Sequence, residues 1–142
     1  IQCRWEMGPN NISNTGWGLS LRPRDMAKVG YLDLKKGMWH GKRVVSEDWI
    51  TESTHNHVTH TRPYSYGYQW WMMPIDTLAG HTPNPNDIII AWGWGDQFIF
   101  VIPKLDMVVV STAGNFTPPD DRAIEFLRSY IIKAVRVESS QR

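Results

Sequence analysis

Cys3 is the only cysteine in the 142 residues, so no disulfide can close within the chain and the redox compartment stays open. No apolar run exceeds strand length, which excludes a membrane-spanning helix of ~20 residues. An excess of positive charge is also missing: 15 Lys plus Arg face 14 Asp plus Glu, a net charge of +1. With no polybasic stretch, the electrostatic footprint of a nucleic-acid binder is absent, and so is a membrane-surface patch. No glycine-rich loop leads from a strand into a helix, so nucleotide binding is unsupported. No signal peptide is visible, and the chain opens at Ile1 rather than at an initiator Met, consistent with a processed or excised piece.

What is present is enough apolar mass for a core. Hydrophobic residues make up 42% and charged residues 20%, which excludes a disordered tail. The length fits one domain. Eight tryptophans are a rich supply of a side chain that packs cores and lines clefts. The pairs Trp70/Trp71 and Trp92/Trp94 each lie near glycines.

Residues 1–18 carry Gly, Pro and Asn signals and read as an ordered loop. A helix is predicted from Pro23, which suits the first helical position. Asp25 is placed to reach back to the free amides, and Gly37 supplies the stop. Arg22 at the N-cap offers no acceptor, which weakens that end by ~1 kcal/mol. Ser46 is an N-cap candidate for a helix to Ser53, with Glu47 and Asp48 in its first turn. The segment 55–65 reads as loop, and Tyr66 to Met72 as one aromatic strand. After a long loop over 73–87, three strands follow at Ile88–Trp92, Gln97–Ile102 and Met107–Thr112. Their short connections favour antiparallel pairing. Asp120 or Asp121 then caps a helix whose apolar face, from Ala123 to Val135, should lie across the sheet. The fold class is α+β, three or four antiparallel strands with flanking helices.

Gly18-Leu19-Ser20-Leu21-Arg22-Pro23-Arg24-Asp25-Met26-Ala27, Gly41 to Trp49, Tyr66-Gly67-Tyr68-Gln69-Trp70 and Ala91-Trp92-Gly93 follow one another in an order that resembles that of class C β-lactamase and penicillin-binding-protein-like serine hydrolases. Gly18-Leu19-Ser20-Leu21-Arg22-Pro23-Arg24-Asp25-Met26-Ala27 is similar to the family's Gly-Leu-x-Ser/Thr-x-x-Asp-Met-Ala stretch. Gly41-Lys42-Arg43-Val44-Val45-Ser46-Glu47-Asp48-Trp49 resembles the segment that follows it, and Tyr66-Gly67-Tyr68-Gln69-Trp70 the Tyr-Gly-x-Gly-Trp strand. Ala91-Trp92-Gly93 then stands in the Lys/His-Thr/Ser-Gly slot, ahead of a hairpin and a closing helix. The likeness runs from about residue 16 to residue 135. It implies that residues 1–142 form a single partial domain, the C-terminal part of the β-lactamase/transpeptidase-like fold.

Acyl transfer in that family uses a Ser one helical turn before a Lys, and a Tyr in Tyr-x-Asn that shuttles the proton. Neither pattern occurs here: no Ser has Lys three positions later, and no Tyr has Asn two positions later. The resemblance places both upstream, so this chain by itself is expected to be inactive, either as a truncated piece or as a diverged protein. What it would contribute is the cleft strand. Gly93 lets a substrate backbone lie close, and the backbone N–H of Trp94 is the candidate oxyanion donor. Ala91, Trp92, Gly93, Asp96 and Gln97 are the candidate substrate contacts. Ala91 departs from the family's Lys or His, which points toward an esterase, amidase or peptidase rather than an efficient β-lactamase.

Other readings stay open. Gly93 and the tryptophans also fit a plain bend with core aromatics, and Asp96-Gln97 also fits a β-bulge. His55, His57 and His60 could hold a metal, but no second ligand cluster accompanies them, and a solvated loop is the reading we adopt. Asp76, Asp87, Asp96 and Asp106 show no paired-carboxylate spacing. No metal or cofactor is expected. The partners implied are a small ester or amide substrate, acting in the complete protein, and the N-terminal segment of the same hydrolase, with homodimerisation through an unpaired strand edge as an alternative. By family analogy the location is periplasmic or secreted. From a different functional class, a non-catalytic binding module with an aromatic cleft is the rival.

Overall fold

A computed structural model describes residues 1–59, 63–75, 82–117 and 122–135. Its centre is an antiparallel sheet of six strands: β5 (Val58–Thr59), β6 (Ser65–Tyr66), β7 (Trp71–Met73), β8 (Ile88–Gly93), β9 (Gln97–Ile102) and β10 (Met107–Ser111). Each pairs with its neighbour in sequence, giving the order β10-β9-β8-β7-β6-β5. Two short ribbons stand apart, β1 (Cys3–Trp5) with β2 (Leu19–Leu21) and β3 (Met38–Trp39) with β4 (Lys42–Arg43). The fold is α+β with an antiparallel sheet and flanking helices, as expected.

The central strands are apolar on both faces because both faces are covered. One face carries Ile88, Ile90, Phe98, Phe100 and Ile102, packed with Ile124, Leu127 and Ile132 of the last helical segment. That segment is α3 (Arg122–Phe126), a π-helical turn at Leu127–Ile131 and a last α turn, α4 (Ile132–Ala134). The other face carries Met72, Ile89, Ile99 and Val101, against Met26, Val29 and Leu34 of α1 (Pro23–Leu34). The helix comes very close to the sheet at Gly30, where a Cβ would sit 2.7 Å from both Ile99 Cγ2 and Val108 Cγ1.

The helix boundaries follow the sequence signals. Pro23 opens α1, Arg22 makes no side-chain cap, and Gly37 at φ +82° donates its N–H to Leu32 O at 2.8 Å. Ser46 Oγ accepts from Trp49 N–H at 3.2 Å and caps α2 (Glu47–Ser53). Asp25 does not serve the free amides of its own helix. Its carboxylate accepts from Lys28 Nζ at 2.5 Å and from Gln2 N–H at 3.3 Å, and those partners hold its pKa below the usual range.

Further expectations need correction. The segment 55–65 is not all loop, since Val58 and Thr59 form β5 and pair with Tyr66 and Ser65 of β6. Residues 1–18 are not all loop, since β1 pairs with β2. The sheet has six strands rather than three or four. Tyr66 to Met72 is not one strand but a hairpin: Gly67 N–H bonds Trp70 O at 2.8 Å, and Gln69 takes φ +66°. The bend is imposed by α2, whose Ser53 carbonyl accepts Tyr68 N–H at 2.8 Å and would overlap any Cβ on Gly67. The caps expected at Asp120 or Asp121 lie outside the described residues, as do His60 and Asp76.

Candidate functional site

The hairpin of β8 and β9 carries the residues singled out from the sequence. Its register pairs Ala91 with Ile99, Trp92 with Phe98 and Gly93 with Gln97. On the opposite side β7 pairs with Ile88, Ile89 and Ile90 only, and the ladder stops at Trp71–Ile90 because the chain turns away through Gly67–Trp70. Among the described residues, the last three of β8 are therefore strand-paired on one side alone. A strand edge of this kind presents backbone N–H and C=O groups to an extended ligand.

The side chains divide by face. Ala91 points toward the α1 side and packs with the Met72, Ile99 and Val101 cluster. Trp92 points to the other side, its ring 5.8 Å from Trp71, 5.9 Å from Tyr64 and 5.2 Å from Phe98, centroid to centroid. Trp94 stands clear of the core and is 75% exposed. It opens a three-residue turn in which Gly95 and Asp96 both take positive φ, +77° and +65°.

Asp96 and Gln97 make bonds that brace this turn. Gln97 Nε2 donates to Gly95 O at 2.9 Å and to Ala113 O. Asp96 is only 3% exposed, and its Oδ2 accepts from Asn115 Nδ2 at 3.0 Å. Its Oδ1 is buried with no hydrogen-bond partner among the described residues. The segment 113–116, after β10, is thus fastened onto the β8–β9 turn, and Phe116 lies over Gly95, where no Cβ would fit. Sequence reasoning did not find Ala113, Asn115 or Phe116. The available signal was an aromatic residue, Phe116, in an otherwise polar, glycine-containing run.

His55 and His57 lie 5.4 Å apart by ring centroid. The ring of His57 is stacked on Tyr68 at 4.3 Å, and its Nε2 lies 2.8 Å from Glu52 O. Among the described residues no three His, Cys, Asp or Glu side chains are grouped to hold a metal ion. Among the same residues no helix is long and apolar enough to cross a membrane.

No protein-family model matches the chain. A curated protein does. By sequence, the chain is similar to a 6-aminohexanoate-dimer hydrolase. That relative, from Paenarthrobacter ureafaciens, is 30% identical over 136 residues, covering 85% of this chain and 32% of its own length. The fold agrees with a solved structure described as a putative 6-aminohexanoate-dimer hydrolase from Bacillus anthracis. Its TM-score is 0.66 at 23% identity, over 90% of this chain and 32% of the other. The chain spans about a third of the length of each 6-aminohexanoate-dimer hydrolase it matches.

Proposed function

We propose that this chain is the C-terminal portion of a β-lactamase-family serine hydrolase that cleaves an amide or ester through an acyl-enzyme. The serine nucleophile stands on a segment outside these 142 residues. The observation that carries the reading is the one-sided pairing of Ala91–Gly93. An extended substrate can lie along that edge, with Gly93 allowing close approach. Trp94 N–H, at the end of the same edge, supplies a backbone donor for the oxyanion. In other hydrolases the loss of one such donor costs about 2.7–4 kcal/mol of transition-state stabilisation.

The Ala91 slot, with neither a Lys nor a His, supports amide or ester hydrolysis over efficient β-lactam hydrolysis, so a strict class C activity is not part of the proposal. The curated relative, named for hydrolysis of a 6-aminohexanoate dimer, favours an amide. An exported location and pairing with the N-terminal segment belong to the same reading. The rival, a non-catalytic aromatic binding module, draws on the exposure of Trp94.

Labelling with a fluorophosphonate, followed by peptide mass spectrometry, separates the two readings. The expected result, for the chain together with the segment encoded upstream, is one labelled serine, located in that segment and followed three residues later by Lys. A label on a serine within residues 1–142 would contradict the assignment. An unlabelled complex would favour the binding module.

A further inference from the structure

The bend at Gly67–Trp70 is held from outside the sheet, by α2 and the segment that follows it. Gly67 can carry no side chain, because a Cβ there would overlap the Ser53 carbonyl oxygen. Tyr68 N–H donates to Ser53 O at 2.8 Å, and His57 N–H donates to Tyr66 O at 3.0 Å. The Tyr68 ring stacks with two others: His57 at 4.3 Å and 8°, and Trp49 of α2 at 5.8 Å and 25°. His57 is itself tied to α2, its Nε2 lying 2.8 Å from Glu52 O. This is not core packing, since Trp49 is 52% exposed and Tyr68 47%. The bend also carries strain: Gln69 sits at φ +66°, a conformation that favours glycine. A strained residue persists only where its surroundings enforce it. What is enforced here is the course of the chain just before β7. Trp71 pairs with Ile90, and in the same register Trp70 and Gln69 would stand opposite Ala91 and Trp92.

We propose that the Trp49–Tyr68–His57 stack is a latch: by seating the bend on α2 it keeps β7 from pairing onto Ala91–Gly93, and so keeps that edge free for an extended ligand. The three are positioning residues, acting through the backbone of Gly67–Trp70. The inference rests on the reading of the edge given above and adds what holds it open. An unpaired edge is a template for any strand that reaches it. The strand best placed to do so is the edge's own neighbour, already in register at Ile90. A neighbour tethered in the same chain competes at an effective concentration on the order of millimolar, so without the latch it would displace a weaker ligand.

Amide hydrogen exchange, read residue by residue by NMR on the 142-residue chain, tests the latch without any hydrolysis. The amides of Ala91–Gly93 that do not bond β9 are expected to exchange faster than those of Ile88–Ile90. In Tyr68→Ala the same amides should slow by about tenfold as the β7–β8 ladder grows, with β9 and β10 unchanged. His57→Ala and Trp49→Ala, each losing one ring of the stack, should slow them less. Tyr68→Phe, which keeps the ring, should exchange as the unmodified chain does. Exchange at Ala91–Gly93 that is unchanged or faster in Tyr68→Ala would overturn the latch. So would a general loss of protection across β8, β9 and β10, which would make the stack a part of the core packing instead. A negative result here leaves the hydrolase reading in place, and a failure of catalysis leaves the latch in place.

Discussion

Asp33 shows how a single side chain can set a pH dependence. It lies on α1, is 6% exposed, and its Oδ2 has no hydrogen-bond partner among the described residues. Burial alone raises its pKa from 3.8 to about 6. A carboxyl whose folded pKa lies above its unfolded value holds a proton that the unfolded chain releases. Stability therefore falls as pH rises from about 4 to about 6 and then levels off. Replacing Asp33 with Asn removes the cost of the buried charge. The expected outcome is a gain of up to about 3 kcal/mol at pH 7.5 and little gain at pH 4, read from urea unfolding at both values. An equal effect at the two pH values would show that the charge is not the cause. Asp25 runs the other way. Lys28 and Gln2 N–H favour its ionised form, so its contribution is present above the unfolded pKa and fades as acid protonates it.

At the scale of elements, the closest approach is α1 on the sheet. Gly30→Leu would drive a side chain into Ile99 and Val108, and overpacking of this kind costs about 1–3 kcal/mol, offset in part by better helix propensity. A lower denaturation midpoint with an unchanged slope is the expected result. Ser46→Ala removes the cap of α2 and should cost about 1 kcal/mol in the same measurement. These two helices were legible in the sequence because their boundaries are written locally, in Pro23, Gly37 and Ser46. The hairpin inside residues 66–72 was not, because its aromatic residues favour a strand while the bend comes from a carbonyl of α2, distant in sequence. The ribbon strand β1 was hidden for another reason: its residues are exposed, so no burial pattern marks them. The candidate site divides the same way. Ala91 to Gln97 could be located from motif and glycine content. The brace from Asn115 and Phe116 could not, since nothing near them in sequence points to Gly95.

For the whole molecule, the sheet ends at β10, and its outer edge has no strand partner among the described residues. β10 is nonetheless an apolar strand, Met-Val-Val-Val-Ser, lying under α1, which also covers β9. An unpaired edge of this kind invites another strand. We expect the isolated chain to self-associate with rising concentration in sedimentation experiments, and to do so less in a preparation that also holds the N-terminal segment proposed above. Concentration-independent monomers in both preparations would count against an open edge.

The central claim is that these residues supply a cleft strand and an oxyanion donor to a nucleophile carried elsewhere. Hydrolysis of p-nitrophenyl acetate and butyrate, by the purified chain alone and with the upstream segment added, addresses it most directly. The account predicts turnover only when both are present. Turnover by the 142-residue chain alone would contradict it and would require a nucleophile among the chain's own residues.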